Sequence, residues 1–257
     1  MKIAVLVKRV PDTASVFTIQ ADGKSVELSG LKFVMSPYDE HAMEEAIQLR
    51  EQEGGEVVVV CAGSPECRET IRMGLAMGAD SGLLVTITDD LTGKGLAAVL
   101  AAALQSIAPD IIFAGKQAVD SDGAQVPERV AELMGIPHAS CITQFVLESG
   151  KAVVNREVEG GHYVISMELP ALFTTQKGIN TPRYPTLPNI MKAKRKPIEE
   201  IAAADLLVDE MLISSGMAIE KLSLPRQDRL CKVLDGEISE QVTCLYRTLR
   251  EEEKVMQ

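Results

Sequence analysis

Ile3-Ala-Val-Leu-Val7 is a short apolar run without alternation, and its reading decides the fold. A strand with one wet face alternates apolar and polar residues. An unbroken run belongs to a strand buried on both faces, as in a parallel sheet covered by helices. Three further runs repeat the pattern: Val57-Val-Val-Val-Cys61, Leu83-Leu-Val-Thr-Ile87 and Asp110-Ile-Ile-Phe-Ala114. Helical signals separate them. Ser36-Pro37 reads as an N-cap followed by proline at the first helical position, with Asp39 and Glu40 favourable in the first turn. Ser64-Pro65-Glu66 repeats that start signal, with Gly78 as its stop, and a third helix is expected over about residues 92–106. Alternating β and α segments imply parallel strands joined by right-handed crossovers.

Beyond Pro137 the pattern changes. Residues 143–148, 151–157 and 163–167 alternate around Gly150 and Gly160-Gly161, which predicts an antiparallel meander, and Ala171-Leu-Phe-Thr-Thr175 reads as one more buried strand. Residues 198–257 carry short apolar patches between charged stretches, too little for an independent core. The expected organisation is a body over residues 1–197 and a C-terminal arm over 198–257. The fold class is α/β: an open, mostly parallel sheet with helices on both faces, an antiparallel meander and an extended arm.

Composition narrows the function. The formal net charge of -11 argues against broad nucleic-acid or membrane-surface binding. No stretch approaches the roughly 20 apolar residues of a membrane span, and the apolar run at the N-terminus stops at Lys8, short of a usual signal core. A cytoplasmic location is expected. The five cysteines show no CxxC spacing and the three histidines do not cluster, so no metal site is expected. There is no GxGxxG after the first strand and no GxxxxGK[ST] loop, which speaks against an NAD dehydrogenase or a P-loop ATPase. No GxSxG or cysteine–histidine arrangement marks a nucleophile, so no catalytic residue is assigned.

In an open parallel sheet ligands bind beyond the carboxyl ends of the strands. The loops there are residues 8–11, 36–39, 62–65 and 115–126. The last carries most information. Gly115 permits a close backbone or phosphate approach, and Gln117-Ala-Val-Asp-Ser-Asp-Gly123 is rich in turn formers. Pro127 must lie in the first turn of the helix that follows. The N–H groups of Gly123, Ala124, Gln125 and Val126 are therefore expected to be free for an anion, aided by the helix dipole. Asp120 and Asp122 would repel a phosphate if aimed at it, and are read as capping the loop or meeting ribose hydroxyls. Residues 181–197 form a second notable stretch. Pro182, Pro185 and Pro188 predict a stiff loop, neither helix nor central strand, with an apolar tip near Leu187 and Ile190. Residues 177–197 hold six Lys or Arg and no acidic residue, which suits either a surface built to touch a partner or a solvated connection with an incidental basic run.

That loop closely resembles the partner-recognition loop of the electron transfer flavoprotein beta subunit. Val7-Lys-Arg-Val10, Arg68-Glu-Thr-Ile-Arg72, Leu75-Ala-Met-Gly-Ala-Asp80 and Gly115-Lys-Gln-Ala-Val-Asp120 resemble further segments of the same family, in order, over roughly residues 1–208. The resemblance implies an adenine nucleotide held by Leu6, Ser36, Pro37, Tyr38, Asp39, Ala62, Gly115, Lys116, Gln117, Ala118, Val119, Asp120, Ser121, Asp122, Gly123, Ala124, Gln125 and Val126. It implies a dehydrogenase anchor at Leu187, with Pro188, Ile190, Met191 and Lys192 beside it. It also implies an alpha-subunit partner that holds the redox FAD and receives the C-terminal arm, acyl-CoA dehydrogenases as electron donors, and a downstream quinone-linked oxidoreductase. Asp120-Ser-Asp-Gly-Ala-Gln-Val-Pro127 is similar to the loop of electron-bifurcating members, which hold a second FAD and use NADH. Leu187-Pro-Asn-Ile-Met191 is similar to the branch with a structural AMP, and AMP is the preferred expectation. The alternative from another class is a stand-alone, stress-protein-like nucleotide-binding α/β protein.

Overall fold

Among the described residues, nine strands join in one sheet. The computed structural model describes residues 1–88, 91–213, 217–225 and 231–255. Along the chain the first half runs β1 (Lys2–Leu6), β2 (Arg9–Pro11), β3 (Phe33–Met35), α1 (Pro37–Glu53), β4 (Glu56–Gly63), α2 (Cys67–Met77), β5 (Ser81–Thr86), α3 (Gly93–Ile107), β6 (Ile111–Gly115) and α4 (Val126–Met134). It continues with β7 (His138–Glu148), β8 (Lys151–Val158), β9 (Gly161–Glu168), β10 (Ala171–Thr175), α5 (Leu187–Ala193), β11 (Ile198–Ala202), α6 (Glu210–Ile213) and α7 (Ile238–Arg247).

The order across the sheet is β11-β5-β4-β1-β6-β10-β7-β8-β9, and the central strands are parallel and have two dry faces. Ile3 and Val5 point to one side with Met43 and Ile47 of α1 and Ile71 of α2. Ala4 and Leu6 point to the other with Leu100 and Leu104 of α3 and Val130 of α4. That period-two split on a strand with no polar residue inside it is why the first run reads as continuous. Helix boundaries follow local chemistry. Pro37 opens α1, Gly78 in a left-handed conformation (φ 151) stops α2, and the Thr92 hydroxyl caps α3 by accepting from Gly95 N–H at 3.4 Å. Ser36 stands at the N-cap position of α1, but its buried hydroxyl makes no capping bond and has no partner among the described residues.

Four features differ from the sequence expectations. β7 begins at His138, because its first residues pair in parallel with β10 before a bulge turns the strand into the antiparallel meander. Cys141, with φ 57, sits at that irregularity. Residues 9–11 are not only loop but pair antiparallel with 33–35 in a two-stranded ribbon. The proline-rich stretch contains a helix: α5 starts at Leu187, with Pro188 in its first turn, where a missing N–H costs nothing. Finally, residues 198–202, placed by sequence in the arm, form β11 alongside β5, so the sheet body continues past Pro197.

The chain divides into two compact units, residues 1–17 with 27–220, and residues 18–26 with 221–257. The first contains the sheet. The second contains an isolated bridge between Ile19 and Val26, a bond from Leu222 N–H to Gly23 O at 2.8 Å, and α7. A reciprocal capping box between Glu237 and Glu240 starts α7, and Ile238, Val242, Leu245 and Tyr246 on it are exposed.

Candidate functional site

A cavity of about 470 Å³ opens at the carboxyl ends of β1, β4 and β6, where the chain has crossed from one side of β1 to the other. Such a switch point is where a doubly wound sheet receives its ligand, and the volume falls in the ~300–1,000 Å³ range of small-molecule sites. Its inner wall is apolar, formed by Leu6, Val7, Ala62, Leu96, Leu100 and Ala114. Its outer wall is the loop from Gly115 into α4, opposed by Leu91, Thr92 and Gly93 at the start of α3. Two helix N-termini therefore face one space, and both favour a negative group.

The loop has the geometry of an anion cradle. Asp122 (φ 48) and Ala124 (φ 43) are left-handed, the kind of backbone from which anion-binding nests are built. Among the described residues no acceptor is bonded to the N–H of Gly123, Ala124, Gln125 or Val126, as the position of Pro127 predicts. The Gln125 side chain reaches across to Gly93, where a Cβ would stand only 3.1 Å from its carboxamide carbon. Neither acidic residue of the loop lines the cavity. Asp120 pairs with Lys8 Nζ at 2.5 Å, and Asp122 accepts from Gln117 Nε2 at 2.7 Å. Both carboxylates thus have partners within the protein, one on Lys8 and one inside the loop.

Asp39 ties the site together. Its buried carboxylate accepts from Lys8 N–H at 2.7 Å and Gly115 N–H at 3.0 Å, joining the start of α1 to the ends of β1 and β6. Burial pushes its pKa up to about 7; the two N–H donors and the Lys8 charge pull down, while Asp120 adds to the rise. Gly115 has no alternative at this point, since a Cβ there would run into the Asp39 carboxylate and the Tyr38 backbone.

Of the residues expected at the nucleotide, Leu6, Asp39, Ala62, Gly115, Gln117, Ala118, Ser121, Gly123, Ala124, Gln125 and Val126 line the cavity. Ser36, Pro37, Tyr38, Lys116, Val119, Asp120 and Asp122 do not line it. Several of these support the wall from behind: Thr175 Oγ1 donates to Tyr38 O at 3.2 Å, and Lys116 Nζ lies 5.1 Å from the Tyr38 ring centroid. Lys8, from the expected loop of residues 8–11, also lines the cavity, as do Leu91, Thr92, Gly93, Pro127 and Met217, which sequence reasoning left out. Thr92 carried a signal, since it opens the helix after a strand that ends at the same edge of the sheet. Met217 carried none: it comes from residues beyond the sheet, where Lys94 Nζ holds Met211 O at 2.7 Å and Gly95 admits the backbone of Ile213.

The stretch thought to meet a partner lies elsewhere on the sheet body. Leu187 (74 % exposed), Ile190 and Met191 stand out from α5, with Pro188 and Lys192 exposed beside them. Two members of the basic run are engaged inside the molecule. Arg183 is paired with Glu44 and Glu51, and Lys196 Nζ donates to the carbonyls of Leu75 and Ala79 at the end of α2.

Comparison with known proteins gives a consistent picture. The Electron transfer flavoprotein domain family matches residues 25–206. The electron transfer flavoprotein subunit beta of Bacillus subtilis (strain 168) is 39% identical over 259 residues, covering 100% of both chains. That of Bradyrhizobium diazoefficiens is 43% identical over 212 residues, 81% of this chain and 84% of its own, and that of Mus musculus is 40% identical over 226 residues, 86% and 89%. No helix among the described residues is long and apolar enough to cross a membrane.

Proposed function

This chain belongs to the electron transfer flavoprotein family as a beta subunit, and from that premise we propose that it holds AMP in the cavity beside β1 while an alpha subunit holds the redox FAD. The observation that carries the nucleotide reading is the loop: four backbone N–H groups without acceptors, on residues that line a cavity whose deeper wall is apolar. A phosphate satisfies the first and a flat heteroaromatic base the second. Ser121 and Gln117 line the same cavity and would offer hydrogen bonds to ribose hydroxyls. Bound FAD in the alpha subunit supplies the electron chemistry. This chain's residues bind, orient and dock.

In this reading acyl-CoA dehydrogenases deliver electrons to the heterodimer at the exposed face of α5, with Leu187 as anchor, and a quinone-linked oxidoreductase receives them. Residues beyond the sheet body serve as the arm on the alpha subunit, consistent with the exposed apolar residues of α7. The proposed site of action is the cytoplasm. A second reading, a bifurcating carrier with FAD in the cavity and NADH as donor, is favoured by one observation, the composition of the 120–127 loop. The stand-alone reading does not fit a beta subunit. The deciding experiment is anaerobic reduction of the heterodimer. Under the proposal, flavin absorbance bleaches on addition of an acyl-CoA with its dehydrogenase and not with NADH alone. Bleaching by NADH alone would replace the first reading with the second.

A further inference from the structure

The proline-rich segment is fastened to the body at both ends of its exposed patch. At the far end, Arg72 Nη1 of α2 donates to Ala193 O at 2.5 Å and Lys196 O at 2.7 Å. At the near end stands Arg183. Its backbone N–H and Nε both donate to Glu44 Oε2, at 3.0 and 2.9 Å, and Nη2 reaches Glu44 Oε1 at 3.0 Å. Nη1 and Nη2 then reach the two oxygens of Glu51 at 2.7 and 3.0 Å. Glu44 and Glu51 lie seven residues apart, on one face of α1. One guanidinium therefore grips two carboxylates along two turns of that helix.

The electrostatics favour a fixed latch. The Glu44 side chain is only 4 % exposed, so burial pushes its pKa up, but bonds from Arg183 and Gln48 outweigh this and hold it below the usual glutamate range. The contact is a forked pair with one desolvated partner, which is stronger and more directional than a surface ion pair. It also occupies four of the five guanidinium N–H donors, so Arg183 has little left to offer a partner protein.

We propose that Arg183 is a positioning residue for docking: with Glu44 and Glu51 it fixes the start of the segment so that Leu187 and Met191 meet an electron donor in one preset orientation. The inference rests on the reading that this segment docks a dehydrogenase. Preset anchors lose less conformational freedom on binding, and the latch removes that loss for the residues between Arg183 and α5. The outward charges that remain, Lys192, Lys194 and Arg195, are left to steer association.

The test uses the complete heterodimer carrying Arg183→Gln, Glu51→Gln, Leu187→Ala, or Arg183→Gln with Leu187→Ala. KM and kcat of an acyl-CoA dehydrogenase for the carrier are measured against ionic strength, with flavin content and melting temperature alongside. Arg183→Gln is expected to raise KM by roughly 3- to 30-fold, with kcat, flavin content and the salt dependence unchanged. Glu51→Gln, which removes only the exposed carboxylate, should shift KM the same way but less. The double variant should fall short of the product of the single effects, because a loosened anchor is already weakened. If Leu187→Ala raises KM and Arg183→Gln does not, the latch is irrelevant to docking and the docking reading stands. If Leu187→Ala changes nothing, the docking reading falls and the inference with it. Fully multiplicative effects, or a changed salt slope, would show Arg183 acting on its own and overturn the proposal. Should Arg183→Gln fail to fold or lose flavin, an unchanged KM in Glu51→Gln overturns it equally.

Discussion

Asp39 shows how one residue decides between structure and binding. Sequence assigns it to the first helical turn, where a carboxylate suits the dipole. In the fold it is buried and holds two backbone N–H groups from different strands. With its pKa raised to about 7 against about 3.9 in the unfolded chain, the native state binds a proton that the unfolded state has released between those values. Its contribution is therefore fully present below about pH 4 and is lost as pH rises towards 7, at up to ~1.4 kcal/mol per pH unit. Asp39→Asn has no such titration. Urea unfolding of both forms at pH 5, 6, 7 and 8 should show the wild type losing ground to the variant as pH rises. A constant difference would mean that the two N–H donors outweigh burial and Asp39 stays ionised throughout.

At the scale of the element, the loop between β6 and α4 is the part of the site most legible in sequence. Pro127 fixes where regular helical pairing can begin, so the free N–H groups before it follow from covalent chemistry alone. The left-handed conformation of Ala124 was not legible, because alanine carries no preference for it. It yields a prediction. Ala124→Val places a β-branched side chain where φ is 43° and should both strain the turn and misalign the cradle. Each charge-assisted bond lost costs on the order of 1.5–3 kcal/mol, or at least tenfold in nucleotide affinity. Titration of nucleotide-stripped heterodimer with AMP would measure it. Undiminished affinity would remove the loop from the site. α5 teaches the opposite lesson: three prolines argued against a helix, but the third falls in the first turn, where proline is tolerated.

Across the whole molecule, the unbroken apolar runs specified the parallel sheet and its two covered faces, because burial of both faces leaves no room for polar residues. What escaped the sequence depended on long-range pairing. β11 is a short strand with two glutamates among five residues, and only its place at the edge beside β5 makes it part of the sheet. Lys196 and Arg183 read as members of a free basic run, yet both are bound inside, one to helix-end carbonyls and one to two glutamates. Met217 reaches the cavity from beyond the sheet, where the start of α3 holds the tail backbone. Local chemistry was legible; partners distant in the chain were not.

The central claim is that the cavity at the ends of β1, β4 and β6 holds an adenine nucleotide distinct from the redox flavin. Its most direct test is to purify this chain co-expressed with its alpha subunit, release the bound nucleotides by denaturation, and identify and count them by mass spectrometry. The account predicts one FAD and one AMP per heterodimer, with the AMP lost in Ala124→Val and the FAD retained. A heterodimer that releases FAD alone, in a single copy and with no second nucleotide, would contradict it.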